Sequence, residues 1–154
     1  MNMANGFRQA RGYFEIGIYN PKTSENIGTL WRSAMQLGAA GIFTIGPRYR
    51  YQSTDTIKSH RHIPLRHYLG MDDFMRCIPE EAELVGIEMG GKPLSQFTHF
   101  TQTIYLLGAE DYGLPADVRK LCKRIVSLEA IGPASYNVAV AGSIVMYARQ
   151  FSAK

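Results

Sequence analysis

Cysteine is scarce in this chain of 154 residues, where only Cys77 and Cys122 occur. Two thiols without metal-like spacing argue against a disulfide scaffold and a structural zinc, and reduced thiols are the expectation. No apolar run approaches the roughly 20 residues that cross a bilayer. Residues 1–12 are polar, carry Arg8 and Arg11, and lack the apolar stretch of a secretory signal. These absences point to a cytoplasmic protein with no membrane partner. Repeats, low-complexity tracts and linkers are missing too, so residues 1–154 are expected to form a single domain large enough to bury a core. Neither GxGxxG nor a Walker loop is present, since Gly108, Gly113 and Gly132 do not match those spacings. A nucleotide dehydrogenase or an NTPase is therefore disfavoured.

What is present is a moderately basic, ordinary globular composition. Hydrophobic residues make up 45%, charged residues 19%, and the formal net charge of +4 favours an anionic partner. The cations are uneven. Residues 48–68 hold Arg48, Arg50, Lys58, Arg61 and Arg66 with Asp55 as the sole acid, interleaved with Tyr49, Tyr51 and Tyr68. Cations with aromatics suit phosphate contact and base stacking, so these five basic residues are the expected nucleic-acid-binding set. His60, His62 and His67 lie in the same stretch without a carboxylate or cysteine companion, and no metal site is expected.

Strand-like and helix-like segments alternate along the chain. Strands are predicted at residues 13–19, 41–45, 82–87, 103–107 and 124–128. Helices are predicted from Ser24, as N-cap, to about Leu37, and over residues 72–76, 114–122 and 137–151, with a short one around 54–60. Gly90-Gly91 reads as a turn, and Pro115 is expected in the first turn of its helix. The fold class is therefore α/β, a mostly parallel sheet flanked by helices. Ligands in such folds bind beyond the C-terminal strand ends. Three polar islands fall there: residues 26–32, 107–115 and 133–141. Ser135 and Asn137 open the last helix, at its cap and first turn. Gly108 and Ser135 are expected in turns where backbone approaches a ligand closely.

The three islands, in this order, resemble the SPOUT superfamily of RNA methyltransferases, and more narrowly its SpoU (TrmH-like) ribose 2′-O-methyltransferases. Asn26, Gly28, Arg32 and Ser33 match the first family motif. Gly108, Glu110, Gly113 and Leu114 match the second, and Ser135, Asn137, Val138 and Ala139 the third, with Tyr136 where leucine or methionine is common. Each motif alone is weak, but together they extend over residues 13–151. The resemblance implies S-adenosyl-L-methionine as cofactor, a homodimer, and a deep C-terminal trefoil knot threaded through residues 82–154. It implies a cofactor pocket built mainly from backbone near Ile87, Glu88, Leu107, Gly108, Ser127 and Leu128, with Ser135 and Tyr136 opposite. The catalytic set it implies is Asn26, Arg32, Glu110, Ser135 and Asn137.

A ribose 2′-hydroxyl is a poor nucleophile until it loses its proton, so positioning and a nearby base or charge must carry catalysis. The resemblance gives that role to Arg32, either as activator or as an electrostatic stabiliser of the developing alkoxide. Glu110 would pair with a cation or fix the Asn26 loop. Trp31 is expected in the core or a dimer interface. Transfer RNA is the favoured substrate, because the chain lacks the terminal extensions of larger relatives. Ribosomal RNA is the nearest rival, and a non-catalytic RNA-binding module or an unrelated nucleotide-binding α/β protein are rivals of other classes.

Overall fold

The computed structural model describes residues 10–49 and 63–153. Six strands form one sheet: β1 (Tyr13–Tyr19), β2 (Gly41–Ile45), β3 (Leu65–Tyr68), β4 (Glu83–Pro93), β5 (Gln102–Leu107) and β6 (Arg124–Ser127). Their spatial order is β3-β2-β1-β5-β4-β6, and every neighbouring pair is parallel. The helices are α1 (Ser24–Gln36), α2 (Met71–Cys77), α3 (Ala116–Leu121) and α4 (Val138–Phe151). No helix among the described residues is long and apolar enough to cross a membrane.

The side chains of a strand alternate between the two faces of the sheet, and here both faces are covered. Phe14, Ile16 and Ile18 of β1, with Tyr105 and Leu107 of β5, pack with Ile27, Leu30, Trp31 and Ala34 of α1 and Ala139, Val145 and Met146 of α4. The other face packs Phe43, Ile45, Ile104 and Leu106 with Phe74 of α2 and Val118 of α3. Trp31 is a core residue, its indole N–H donating to the Ile63 carbonyl at 3.2 Å. A Cβ on Gly142 would lie 2.5 Å from Leu30 Cδ1 and 3.0 Å from Leu107 Cδ1, so the glycine sits where α4 packs tightly on α1 and the sheet. Both cysteines are free thiols, and burial pushes Cys122 up to about 11.

Near the C-terminal end of α4 the guanidinium of Arg149 is buried, 3% exposed, without an ion-pair partner among the described residues. Neutral acceptors satisfy it instead. It donates to the carbonyls of Arg11, Phe100 and Thr101 at 2.9–3.0 Å, to Thr103 Oγ1 at 3.1 Å and to the Tyr105 hydroxyl at 3.0 Å. It also lies 5.0 Å from the Phe14 ring centroid. One side chain thus ties the helix to the entry of β1 and the approach to β5.

Four local features depart from the sequence expectation. The β3 strand, Leu65–Tyr68, is an edge strand inside the basic stretch that carried no strand signal. Gly90-Gly91 is not a turn. β4 runs through it with a register shift between Ile87 and Lys92, and a Cβ on Gly91 would meet the Ile125 carbonyl at 2.3 Å. The N-cap of α1 is Thr23 rather than Ser24. Pro115 is itself the N-cap of α3, not a residue of its first turn. The short helix expected around residues 54–60 lies outside the described residues.

Replacing Arg149 with methionine keeps the volume but orphans several buried carbonyls. Loss of stability on the order of 3 kcal/mol is expected, from about 1–3 kcal/mol per unsatisfied acceptor. Urea unfolding of both proteins checks it, and equal midpoints would assign Arg149 no structural role.

Candidate active site

The strand ends carry the site because parallel strands deliver their connecting loops to one edge. The bulged middle of β4 and the loops after β5 and β6 enclose a cavity of about 370 Å³ with the start of α4. Ile87, Leu107, Leu128, Val138 and Ala141 supply apolar walls, and Glu88, Glu110, Ser127, Ser135 and Tyr136 supply polar ones. All eight residues expected to form the cofactor pocket line this one space: Ile87, Glu88, Leu107, Gly108, Ser127, Leu128, Ser135 and Tyr136.

Of the expected catalytic set, Asn26, Glu110 and Asn137 form a hydrogen-bonded relay. The Glu110 carboxylate accepts from the backbone N–H of Lys22 at 2.8 Å and of Thr23 at 3.0 Å, from the Thr23 hydroxyl at 3.1 Å, and from Asn26 Nδ2 at 2.8 Å. Thr23 makes no cap bond of its own, so a carboxylate from another loop serves the entry of α1. Asn26 Oδ1 accepts in turn from Asn137 Nδ2 at 2.9 Å, and Asn137 Oδ1 caps α4 by accepting from the Val140 N–H at 3.1 Å. Each amide therefore has its orientation set by both ends of its own group. Burial alone would push Glu110 up, but the bonds from Asn26, Lys22 and Thr23 outweigh it and hold the carboxyl below its ordinary value.

Glu88 plays the equivalent part for the second loop. Its carboxylate accepts from the Leu114 N–H at 2.9 Å, and Gly113 beneath it has φ +65°. A Cβ on Gly108 would lie 2.4–2.6 Å from the backbone of Gly113 and Leu114. The glycine thus lets the loop fold back on its own backbone. Ser127 Oγ accepts from the Gly91 N–H and donates to the Glu88 carbonyl, both at 2.6 Å, which stitches β6 to the bulge in β4. The third loop is anchored at Glu129, whose carboxylate accepts from the Ser95 hydroxyl. Tyr136 closes that loop by donating its hydroxyl to the Glu129 carbonyl at 2.7 Å. Ser135 is exposed and faces the cavity between these anchors.

Arg32 stands apart from the relay. It is exposed on α1, does not line the cavity, and forms no ion pair among the described residues. Six residues of helix separate it from Asn26, which turns the two side chains about 120° apart. Of the basic set, Arg48 makes a two-pronged bond to Asp111 at 3.0 Å and donates to the Asn20 carbonyl at 2.7 Å. That bond holds Asp111 below the usual carboxylate range. Arg66 pairs with Glu15 at 3.3 Å, short of the strand ends. Arg50, Lys58 and Arg61 lie outside the described residues, as do His60 and His62. The structural roles of Glu88, Asp111 and Ser127 were not readable in the sequence, because each depends on a loop distant in the chain.

A depressed carboxyl stabilises the fold above its unfolded value and loses that contribution as pH falls through its folded one. Glu110 should therefore add to acid sensitivity below about pH 4.5, its ordinary value. Unfolding of wild type and Glu110→Gln compared across pH 3–7 should show the gap between them closing as pH drops. A gap constant with pH would remove the charge from this account.

The chain is similar in sequence and fold to known proteins. The family described as SpoU rRNA Methylase matches residues 13–147. A Mycolicibacterium gilvum protein named an uncharacterised tRNA/rRNA methyltransferase is 26% identical over 85% of the chain, and one of the same name from Archaeoglobus fulgidus is 26% identical over 88%. The chain spans 44% and 63% of those relatives' lengths. Among solved structures, the SpoU methyltransferase AviRb from Streptomyces viridochromogenes with AdoMet superposes with a TM-score of 0.76 at 25% identity, over 92% of this chain and 57% of that one. A structure concerned with 2-OH methylation of C/U34 on tRNA gives 0.79 at 24% identity, over 91% and 95% of the two chains. With all three motifs in place and the family match running from β1 into α4, this chain belongs to the SpoU rRNA Methylase family.

Proposed function

We propose that this protein is an S-adenosylmethionine-dependent RNA 2′-O-ribose methyltransferase acting on tRNA. The observation that carries the reading is the Glu110–Asn26–Asn137 relay beside one cavity at the strand ends. The cavity suits the cofactor: apolar walls from Ile87, Leu107 and Leu128 for a purine, backbone groups of three strand-end loops, and acidic side chains for a ligand bearing cationic groups. Its volume of about 370 Å³ falls within the range of small-molecule sites. Bound there, the cofactor would supply a methyl group on a sulfonium, open to in-line displacement by a hydroxyl oxygen.

The chain's own residues then divide the work. Asn26 and Asn137 hold the α1 and α4 entries together, and Glu110 fixes both to the second loop. Ser135 and Tyr136 face the cavity from the third loop. Arg32 supplies the positive charge for a developing 2′-alkoxide, or pairs with the adjoining phosphate. Because Arg32 lies outside the cavity of its own chain, a second copy is required in this scheme. We place the homodimer contact on the ridge of α4 formed by Val140, Ile144 and Tyr147, which are 46%, 36% and 61% exposed. A trefoil knot in the C-terminal half, a cytoplasmic location and one domain over residues 1–154 complete the reading. Transfer RNA is tested first because a fold neighbour of nearly the same length concerns C/U34 in tRNA. Ribosomal RNA is the alternative that the relatives' names keep open.

Calorimetry should show S-adenosylmethionine binding, and sedimentation should give twice the 17.2 kDa chain mass. Incubation with bulk tRNA should yield a 2′-O-methylated nucleoside by mass spectrometry. Arg32→Ala should cut single-turnover methyl transfer at least about a hundredfold, with melting temperature and cofactor affinity nearly unchanged. Absence of cofactor binding in the wild type would sink the assignment, and a fully active Arg32→Ala would remove Arg32 from catalysis.

A further inference from the structure

A large aromatic ring stands at the mouth of the cavity with most of its surface in water. Tyr112 is 79% exposed although it lines the same space as the strand-end loops. Its backbone is anything but free. The loop is closed by Ala109 and Gly113, which exchange backbone hydrogen bonds at 2.9 and 3.3 Å. Glu88 pins one side of it through the Leu114 N–H, and Glu110 pins the other to α1. The loop therefore holds out a ring that the core does not bury. Single exposed apolar residues need no explanation, but Met89 and Tyr136, 68% and 40% exposed, border the same mouth.

The ring also has a fixed neighbour. The Arg48 guanidinium lies over it, 5.9 Å from its centroid. Arg48 is locked by two bonds to Asp111 and one to the Asn20 carbonyl. Asp111 offsets most of that charge locally, so the triplet acts less as a phosphate trap than as a brace for the ring. A braced aromatic with an open surface, beside a ligand cavity, is the arrangement that holds an unstacked base.

We propose that Tyr112 is the stacking platform for a nucleobase of the RNA substrate, at or next to the methylated nucleotide, with Arg48 and Asp111 as positioning residues behind it. The proposal rests on the methyltransferase reading above. It makes the aromatic side chain at this loop position a determinant of RNA affinity and not of cofactor affinity.

The test uses the full-length protein with bulk tRNA and, separately, ribosomal RNA. Tyr112→Ala should raise KM for the methylated RNA by roughly fivefold to a hundredfold, the effect of losing one base–aromatic stack. S-adenosylmethionine affinity by calorimetry should stay within twofold. Tyr112→Phe should restore near-wild-type KM, whereas Tyr112→Leu should not. In the Tyr112→Trp variant the new fluorophore should be quenched by saturating RNA, against the buried Trp31 as background. Unchanged KM in Tyr112→Ala, with active wild type, overturns the platform alone. A parallel loss of cofactor affinity overturns it in favour of a cofactor contact, and failure of Tyr112→Phe overturns it in favour of the hydroxyl. A wild-type protein that transfers no methyl to either RNA overturns the methyltransferase reading, and this proposal with it.

Discussion

The Glu110 carboxylate accepts four hydrogen bonds from residues that lie 84 to 88 positions earlier in the chain. Those bonds do two things at once. They satisfy the backbone N–H groups of Lys22 and Thr23, the two residues that lead into α1. They also fix the loop after β5 against the loop after β1. Asn26 extends the connection to Asn137, whose other side-chain atom caps α4. Two helix entries and one loop are thereby set relative to one another by three side chains. The cavity lies along this join, and its shape depends on the join being made.

α4 shows how one element serves fold and site together. At its start Asn137 belongs to the relay. In its middle Gly142 permits close packing on Leu30 and Leu107. At its end Arg149 is held by the neutral acceptors of two other segments, an arrangement that is costly to leave incomplete because an unpaired buried group loses its full solvation. The helix is thus located at both ends by polar contacts and in between by van der Waals contact. Its remaining face exposes Val140, Ile144 and Tyr147.

Much of this was legible in sequence, for identifiable reasons. β1, β2 and β5 are short runs of branched and aromatic residues bounded by turn residues, so their period and length specify them. The last helix was bounded within a residue by its Gly-Pro turn and polar entry, although the cap is Asn137 and not Ser135. The three islands marked the site because polar residues at helix entries after strands converge at one sheet edge. β3 was not legible, since four residues with Arg66 and His67 among them pair only because β2 offers an open edge. Gly90-Gly91 reads as a turn unless the Ile125 carbonyl beside it is known, and that carbonyl comes from β6. Ser24 was expected as the cap where the structure has Thr23, and the Glu110 carboxylate that holds Lys22 and Thr23 comes from a loop that no local window contains. The bond between Arg48 and Asp111 was hidden for the same reason, since the two lie 63 residues apart.

A double-mutant cycle on Asn26→Ala and Asn137→Ala, read by urea unfolding, tests most directly whether the relay acts as one unit. The cap that Asn137 gives α4 is lost in both arms of the cycle and cancels, leaving the contact between the two amides. The expected result is a non-additive loss, with a coupling of about 0.5–3 kcal/mol, as for residues sharing one hydrogen-bond network. Losses that simply add, to within about 0.3 kcal/mol, would mean that the amides stand independently. The three loops would then need some other tie.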